Sequence, residues 1–350
     1  MYRFLSSLLF TLPPETAHHL ALAGLKLVVR EPVAAALTRQ VTSQPVTVMG
    51  LDFPNAVGLA AGLDKNADYL DALAGLGFGF IEVGTVTPRP QPGNPKPRLF
   101  RIPGQQALIN RMGFNNKGID HLVRRVSRTR YRGVLGINIG KNKDTPNDKA
   151  VDDYLLCLRR AYPHAGYVTI NVSSPNTPGL RELQKVSELS RLLSTLLEAR
   201  EQLSAQHGRR VPLLLKIAPD LDEPAMDDIA ECLLNQRVDG LIVGNTTLSR
   251  PGLEHSPVAR EAGGLSGKPL MPLATQVLRS MQARLKGEIP LIGVGGILSA
   301  KDAAEKFNAG ASLVQIYSGF VYRGPALIRE IAGLQKNLTT EGTEITERKQ

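Results

Sequence analysis

The sequence predicts an α/β fold, namely a (β/α)8 TIM barrel with a small N-terminal helical extension. Eight short β-rich runs recur between residues 56 and 319, and amphipathic helical stretches lie between most of them. Each run is apolar on both faces, which is typical of strands covered on both sides of a parallel sheet. Eight such units over ~300 residues match the strand count of the barrel. A doubly wound sheet is the alternative, but a sheet of eight strands would be a large one.

The N-terminal extension predicts two short apolar helices separated by Pro13-Pro14. The first lies within MYRFLSSLLFTL (1–12) and the second runs from Thr16 to Arg30. A small-residue cleavage site is missing, so we expect no signal peptide. The apolar runs are shorter than the ~18–20 residues that cross a bilayer. The two helices could pack on the core or lie in a membrane interface with their apolar side down, and the sequence leaves both open.

The barrel itself is predicted from eight strands in chain order. These read AVGLAAG (56–62), GFIEVGTV (79–86), GVLGINIG (133–140), YVTINVSSP (167–175), PLLLKIAP (212–219), GLIVGNTT (240–247), PLIGVGG (290–296) and SLVQIYSG (312–319). Helical patterns such as VSELSRLLSTLLEAREQL follow them. We therefore expect one barrel domain over residues 45–335, an extension over 1–44 and a polar tail over 336–350.

Composition narrows the class of protein. The chain has 350 residues, a formal net charge of +10, 42% hydrophobic and 21% charged residues, which excludes disorder as the main state. Two cysteines exclude a disulfide scaffold, and without CxxC or HExxH motifs we expect no metal site. The basic residues are scattered, so we expect no nucleic-acid partner. The densest cluster, in HLVRRVSRTRYRG, favours a solvated helix face with a secondary role near anionic lipid.

The predicted strands end in polar residues or glycine. In a barrel the C-terminal strand ends face the active site, so these groups should converge. In order they are Ala60 to Lys65, Thr85, Asn138, Asn171 with Ser173 and Ser174, Lys216, Asn245 with Thr246, Gly295 with Gly296, and Tyr317 with Ser318.

Three glycine-rich segments are candidates for binding a phosphate or a dinucleotide. Gly295-Gly296 ends a strand and precedes a helix, which favours phosphate binding because loops after strands 7 and 8 often hold a phosphate on free backbone N–H groups. GGLSGKP resembles a P-loop, but Pro269 stands where Ser or Thr should bind Mg²⁺. AGLGFGF precedes a strand instead of following one, so a dinucleotide site is not expected either.

The chemistry of the strand ends favours a flavin. Asp64 is the main carboxylate there, and Lys216 adds positive charge and a donor. A phosphate cradle, amide donors and a lysine suit flavin mononucleotide, which then carries the redox chemistry. Two alternatives stay open at this point. Lys216 could form a Schiff base in a sugar-phosphate lyase, or the barrel could only bind a phosphate ligand.

Several long segments, in order from about residue 45 to 335, resemble the membrane-associated, quinone-dependent class 2 of the dihydroorotate dehydrogenases. They are GLAAGLDKN (58–66), EVGTVTPRPQPGNPKPRLFR (82–101), NRMGFNN (110–116), GINIGKNKDTP (136–146), INVSSPNTPGL (170–180), LKIAPDL (215–221), NTTLSR (245–250), GGLSGKP (263–269), GVGGI (293–297) and QIYSGF (315–320). The resemblance implies oxidation of dihydroorotate to orotate in pyrimidine (UMP) synthesis, with FMN as hydride acceptor and a membrane quinone as final acceptor. It also implies a monomeric, peripheral membrane protein in contact with lipid at the cytoplasmic side of the cell (inner) membrane.

The resemblance also assigns roles to residues. Ser174, in INVSSPNTPGL, matches the family's catalytic base, which takes the C5 proton while a hydride leaves C6. Class 1 enzymes carry cysteine at this position, so Ser174 indicates class 2. A free serine is a poor base, so a water chain or Thr177 would assist it.

Matching positions give the two ligand sets. For FMN they are Ala61, Gly62, Leu63, Asp64, Lys65, Thr85, Asn138, Asn171, Lys216, Gly244, Gly267, Gly296, Tyr317 and Ser318. For dihydroorotate or orotate they are Lys65, Asn110, Arg111, Met112, Gly113, Phe114, Asn171, Asn176, Asn245 and Thr246. The sequence departs from the family at Gly244, where threonine is common, so a backbone N–H would have to replace a side-chain contact to the phosphate. For the quinone, His18 or His19 would line an apolar tunnel under the N-terminal helices and Arg101 would meet the headgroup.

Overall fold

The computed structural model describes residues 2–29, 33, 36, 41–253 and 256–334. Its centre is a closed barrel of eight parallel strands, as the sequence predicts. The strands of the described chain are β1 (Val46–Val48), β2 (Leu51–Phe53), β3 (Val57–Leu59), β4 (Phe80–Val86), β5 (Leu99–Ile102), β6 (Ala107–Asn110), β7 (Val134–Ile139), β8 (Tyr167–Asn171), β9 (Leu213–Ile217), β10 (Gly240–Val243), β11 (Gly264–Gly267), β12 (Leu291–Val294) and β13 (Ala311–Ile316).

The barrel closes in the order β3, β4, β7, β8, β9, β10, β12, β13 and back to β3. Every neighbouring pair is parallel. Seven of these strands lie inside a predicted run, and β13 begins one residue before its run, at Ala311, so the barrel prediction is confirmed. The parallel direction brings all eight C-terminal ends to one face of the molecule, because each strand returns through a crossover connection.

Helices surround the barrel and pack their apolar faces on it. They are α1 (Tyr2–Leu9), α2 (Pro14–Val28), α3 (Leu70–Ala74), α4 (Ile119–Val126), α5 (Ala150–Ala161), α6 (Val186–His207), α7 (Glu223–Gln236), α8 (Met271–Leu285), α9 (Ala300–Asn308) and α10 (Ser318–Arg323), and residues 326–334 are also helical. In α6 the buried residues Leu189, Leu192, Leu193 and Leu196 follow the helical spacing of one face. Asp222 caps α7 by accepting the backbone N–H of Ala225 at 3.0 Å, which fixes where the helix begins.

Two small sheets were not predicted from the sequence. The antiparallel hairpin of β1 and β2 closes the N-terminal end of the barrel, where the ring of Phe53 lies 5.2 Å from that of Phe80. The second is an antiparallel sheet in the order β11, β6, β5, which stands beside the opposite end. The GGLSGKP segment that resembles a P-loop therefore forms the strand β11.

The N-terminal helices pack on the barrel with one side and expose apolar side chains on the other. Tyr2 donates a hydrogen bond to the carbonyl of Val321 at 2.6 Å, and Glu15 of α2 pairs with Arg98 at 2.7 Å. The exposed set consists of Leu5, Leu8, Leu20, Leu27 and Val28. Both helices were predicted, and α2 begins two residues earlier than expected, at Pro14, because proline is favoured at the first position of a helix. None of the helices in the described ranges is long and apolar enough to span a membrane.

The domain boundaries at residues 44 and 335 stay predictions. The polar tail over 336–350 lies outside the described residues, as do several positions between residues 30 and 40.

Candidate active site

A cavity of about 990 Å³, counting its open mouth, lies at the C-terminal ends of the barrel strands, and we call it the polar cavity because lysine, amide and hydroxyl side chains form part of its lining. Residues at or after the ends of seven of the eight strands line it, together with the loop after β6 and part of β11. This is the convergence that the polar strand ends predict. It follows from the fold, because parallel strands place equivalent ends side by side.

Most of the residues predicted to bind the cofactor line this cavity: Ala61, Gly62, Lys65, Thr85, Asn171, Lys216, Gly267, Gly296, Tyr317 and Ser318. Most of the predicted substrate residues line it as well: Lys65, Asn110, Met112, Gly113, Phe114, Asn171, Asn176, Asn245 and Thr246. Ser174 is buried in the same wall. The structure thus brings most of the two predicted sets and the predicted base into one space.

Five predicted residues lie outside the lining. Arg111 turns its guanidinium to Glu261 at 2.6 Å and stacks it over the ring of Phe100. Leu63 lines a second cavity instead, described below. The other three, Asp64, Asn138 and Gly244, lie just behind the lining residues and shape it. Their ligand contacts stay predictions.

Asp64 organises the loop after β3. Its buried carboxylate accepts the backbone N–H groups of Asn66, Asp68 and Tyr69, at 3.3, 3.0 and 2.7 Å. Burial raises the pKa of Asp64 and these hydrogen bonds oppose the rise. The loop thereby holds the next residue, Lys65, in the cavity wall.

Lys65 is the cavity's cation nearest to the N-terminal helices. Its Nζ donates to the carbonyl of Gly62 at 2.8 Å. Burial lowers the pKa of Lys65 to about 8, the charge of Arg98 adds to this, and Glu15 and Asp64 oppose it. The lysine therefore keeps most of its charge at pH 7 and loses it in mildly alkaline solution.

Asn138 and Asn171 belong to a hydrogen-bonded group of side chains in the barrel. The Nδ2 of Asn171 donates to Thr85 Oγ1 at 2.9 Å and to Asn138 Oδ1 at 3.1 Å. Asn138 in turn donates to the carboxylate of Glu82 at 2.7 Å. Sequence reasoning identified Asp64 as the main carboxylate of this end and missed Glu82, which lies inside β4 and not at its end. A charged residue within a run that is otherwise apolar is the signal that could have found it.

The glycine pair after β12 leaves the cavity wall bare. Gly296 has a φ of +81°, and a Cβ there would lie 2.4 Å from the Cα of Met271 at the start of α8. Gly244 has a φ of +117°, and its Cβ would meet the carbonyl oxygen of Val294 at 2.8 Å. Gly296 and Gly244 therefore both require glycine. At Gly244 the positive φ and the nearby carbonyl leave no room for the threonine that is common in the family. Ser318, in the lining of the same cavity, donates to the Oγ of Ser266 at 2.8 Å. Ser266 belongs to β11, and sequence reasoning missed it.

Ser174 has no strong base as its partner in the described chain. Its Oγ accepts the backbone N–H of Asn176 at 3.2 Å, which is its only hydrogen bond among the described residues. Thr177 is three residues from Ser174 in the sequence, and Thr246 lines the same cavity. The buried Oγ1 of each threonine has no hydrogen-bond partner in the described ranges. Such groups are rare in native proteins and point to a missing partner, such as a ligand or a water.

A second cavity, of about 690 Å³ and mostly apolar, lies between the N-terminal helices and the barrel. Its lining comprises Tyr2, Ser6, Leu9, Phe10, Pro14, Ala17, His18, Ala21, Leu22, Leu63, Leu99, Arg101, Leu108, Tyr317, Phe320 and Val321. Tyr317 lines this apolar cavity and the polar cavity alike, so the two share a wall. Burial raises the pKa of Tyr317 to about 12, so the phenol is neutral at pH 7.

The structure separates the two candidate histidines of the apolar cavity. His18 lines the cavity, and burial, with the charges of Lys65 and His19, lowers its pKa to about 3. His19 is exposed and lies 3.9 Å from Glu15. Arg101 lines the cavity too, with its guanidinium 4.7 Å from the Phe10 ring and a hydrogen bond to the carbonyl of Leu9 at 3.3 Å.

Comparison with known proteins gives consistent matches. A family model described as dihydroorotate dehydrogenase matches residues 43–338. The dihydroorotate dehydrogenase (quinone) of Nitrosospira multiformis is 57% identical over 344 residues, 98% of this chain and 98% of that protein. The enzyme of the same name from Azotobacter vinelandii is 58% identical over 94% of this chain and 95% of its own length. Among solved structures, the Eimeria tenella enzyme in complex with ferulenol superposes with a TM-score of 0.85 at 39% identity, covering 94% of this chain and 92% of that one.

Proposed function

The chain belongs to the dihydroorotate dehydrogenase family, in its quinone-dependent class, and we propose that the polar cavity holds FMN and dihydroorotate while the apolar cavity admits the quinone. The enzyme oxidises dihydroorotate to orotate with a quinone as acceptor, a step of pyrimidine biosynthesis. Members of this family are flavoenzymes. The observation that carries the proposal is the pair of cavities that share Tyr317, one polar and one apolar, as two half-reactions with unlike substrates require.

The lining of the polar cavity fits FMN. Gly267, Gly296 and Ser318 would hold the phosphate, because glycines without room for a side chain leave backbone N–H groups accessible. Thr85, Asn171 and Lys216 would hold the ring system. Burial lowers the pKa of Lys216 and the charge of Glu82 opposes this. When bound, FMN supplies the acceptor for the hydride that the substrate loses.

The substrate is a planar imide that carries a carboxylate, and the remaining cavity residues complement it. Lys65 supplies a positive charge, and the amides of Asn110, Asn176 and Asn245 supply donors and acceptors for the ring edge. The Oγ1 of Thr246, which has no partner among the described residues, is a further group for the substrate. Such a polar pocket rejects analogues that lack the matching atoms, because its buried groups would be left unpaired.

Ser174 is the proposed base. Its Oγ would take the proton from C5 of dihydroorotate while the hydride leaves C6. Among the described residues Ser174 Oγ only accepts, from the backbone N–H of Asn176, so the hydroxyl hydrogen is free to donate and the serine needs a route for that proton. The Oγ1 of Thr177, three residues on, has no partner in the part of the chain that the structure describes, which supports a relay through this threonine and water.

The N-terminal helices are the proposed membrane contact. Leu5, Leu8, Leu20, Leu27 and Val28 are exposed on the same two helices that roof the apolar cavity. A quinone could pass from lipid into the cavity between them, with His18 and Arg101 in its walls. We propose a monomeric, peripheral protein at the cytoplasmic side of the cell (inner) membrane, built from the extension over 1–44, the barrel over 45–335 and the tail over 336–350.

The experiment is an anaerobic visible spectrum of the detergent-purified protein before and after dihydroorotate is added. We expect a yellow protein that bleaches with dihydroorotate and regains its colour with a quinone but not with fumarate or NAD⁺. A yellow protein that does not bleach contradicts the proposed use of the cavity by the substrate. If the protein stays colourless when supplied with FMN, the cofactor assignment is wrong, and borohydride trapping of Lys216 with a sugar phosphate tests the lyase alternative.

A further inference from the structure

The interior of the barrel contains a buried carboxylate, Glu82 of β4, that has no role in the proposed reaction. Glu82 is 0% exposed. Its oxygens accept hydrogen bonds from Asn138 at 2.7 Å, Gln315 at 2.8 Å, Tyr167 at 2.9 Å and Thr169 at 3.2 Å. Barrel interiors are usually filled by Val, Ile and Leu, and an acid there is costly to bury. Four donors from three different strands make this a specific arrangement.

Gln315 connects Glu82 to the polar cavity. The residue lines the cavity, while its Nε2 donates to Glu82 Oε2. Its Oε1 is buried and has no hydrogen-bond partner among the described residues. Because the Nε2 of the amide donates to Glu82, the oxygen of the same amide lies on the other side. A buried carbonyl oxygen without a partner is rare, so a donor that arrives with a ligand should complete it.

We propose that Gln315 is a further cofactor-binding residue, whose amide oxygen accepts a hydrogen bond from an N–H of the flavin ring, and that Glu82 is the positioning residue that fixes the amide. The inference rests on the proposed assignment of FMN to this cavity. The pyrimidine-like edge of the flavin ring carries one N–H between two carbonyl oxygens. Lys216, a donor, and Gln315, an acceptor, line the same cavity and complement these two kinds of atom.

The first test is Gln315→Met in the full-length holoprotein, which keeps the side-chain length and removes both amide atoms. We expect the FMN dissociation constant, measured from flavin fluorescence on dilution, to rise about tenfold or more, because a ring N–H loses its acceptor. We also expect the visible flavin band to shift. The thermal midpoint extrapolated to zero added FMN should change little, since the substitution removes a hydrogen bond and an unpartnered oxygen together.

A merely structural glutamine gives the opposite pattern. The flavin-free midpoint would then fall, while FMN affinity and the visible band would stay as in the wild type. An FMN dissociation constant within twofold of the wild type overturns the inference.

Glu82→Gln tests the positioning role, with Asp153→Asn as matched control. Asp153 is also a largely buried acid, but it accepts the backbone N–H of Asn142 at 2.8 Å, outside the cavity lining. We expect Glu82→Gln to weaken FMN binding about as much as Gln315→Met, and the double variant to be no more than about threefold weaker than Gln315→Met alone, because both changes act on one contact. Asp153→Asn should lower the midpoint without changing FMN affinity.

Fully additive losses, or an equal loss of affinity in the control, overturn the role of Glu82. If Glu82→Gln does not fold, Gln315→Met still decides the flavin contact. The two levels of the proposal fail differently. A wild-type protein that does not bind FMN contradicts the proposed cofactor and this inference with it, whereas wild-type binding with an unchanged Gln315→Met contradicts the inference alone.

Discussion

The polar and the apolar cavity are neighbours with different origins. The polar cavity is built from the ends of parallel strands, so the barrel topology itself assembles its lysines, amides and glycines. The apolar cavity is built by docking two helices on the barrel and a small antiparallel sheet, and its lining is mostly leucine, phenylalanine and alanine. Tyr317 belongs to both. In the proposed function the chain therefore keeps the reaction of charged, polar reactants apart from the reaction with an apolar quinone, and the two cavities share a wall.

The two cavities also differ in what holds them together. In the polar cavity, side-chain hydrogen bonds from Glu82 through Asn138 to Thr85 and Asn171 cross between strands. The apolar cavity depends on contacts between the extension and the rest of the chain, among them the nearly buried pair of Arg98 and Glu15. Burial opposes ionisation of Glu15, but the hydrogen bonds and charges of Arg98 and Lys96 together outweigh it and lower its pKa. We therefore expect changes in one cavity to leave the other half-reaction intact.

Ser174→Ala is the change with the largest expected effect, and it should slow only the half-reaction proposed for the polar cavity. Loss of the proposed base should slow bleaching of the flavin by dihydroorotate about a thousandfold, measured by anaerobic stopped flow. Reoxidation of chemically reduced enzyme by quinone should stay as in the wild type. Ser194→Ala, which removes a half-buried hydroxyl on α6 that donates to the carbonyl of Arg191, is the control and should change neither rate. Bleaching by Ser174→Ala at the wild-type rate would show that another group takes the proton.

Lys65 should make orotate binding in the polar cavity depend on pH. Its pKa is lowered to about 8, so the charge that we propose binds the substrate carboxylate is present below that pH and is lost above it. Orotate affinity, measured from the flavin spectrum, should therefore fall by about tenfold per pH unit above about 8. Lys65→Arg should bind orotate more weakly at pH 7 but keep its affinity up to pH ~10, because a guanidinium stays charged. A wild-type affinity that is constant to pH ~10 would contradict this role of Lys65.

The same contrast explains how much the sequence predicts. The eight barrel strands are apolar on both faces and end in polar groups, so the barrel and most of the polar lining follow from pattern alone. The β5–β6–β11 sheet was missed because its four-residue strands carry too few residues for an alternation to stand out. Glu82 escapes a prediction based on strand ends, because it lies inside a strand whose other residues are mostly apolar.

For the apolar cavity the sequence predicts the two helices but not how they dock. Their leucines indicate an apolar face but do not say whether the barrel or lipid covers it. In the structure one side of the two helices packs on the barrel, and the other side exposes apolar side chains. His18 and His19 are adjacent in sequence, and only the docking of α2 decides that His18 faces the cavity while His19 is exposed.

Ala17→Phe should slow only the half-reaction with quinone, which is proposed for the apolar cavity. Ala17 is buried in the wall of the apolar cavity, so a phenyl ring there would occupy space that the quinone needs. We expect kcat/KM for a quinone to fall about tenfold, measured in steady state with a soluble quinone analogue. Bleaching by dihydroorotate in the same preparation is the internal control and should keep its rate. Equal loss in both half-reactions would mean that the two cavities are mechanically coupled and would count against their independence.

Leu8→Ser has the smallest expected effect and separates the outer side of the extension from its inner side. The Leu8 side chain is 62% exposed on α1, so it can enter a lipid surface without first leaving the protein core. Replacing it should weaken binding to vesicles of phosphatidylethanolamine and phosphatidylglycerol about fivefold, which corresponds to ~1 kcal/mol of apolar burial. The control is Leu156→Ser, which changes a leucine 46% exposed on α5, away from the extension, and should leave vesicle binding unchanged. Both variants should turn over a soluble quinone analogue at the wild-type rate, because neither residue lines a cavity. If both substitutions weaken vesicle binding equally, the exposed side of the extension is not the membrane contact, and the apolar cavity must open to its quinone elsewhere.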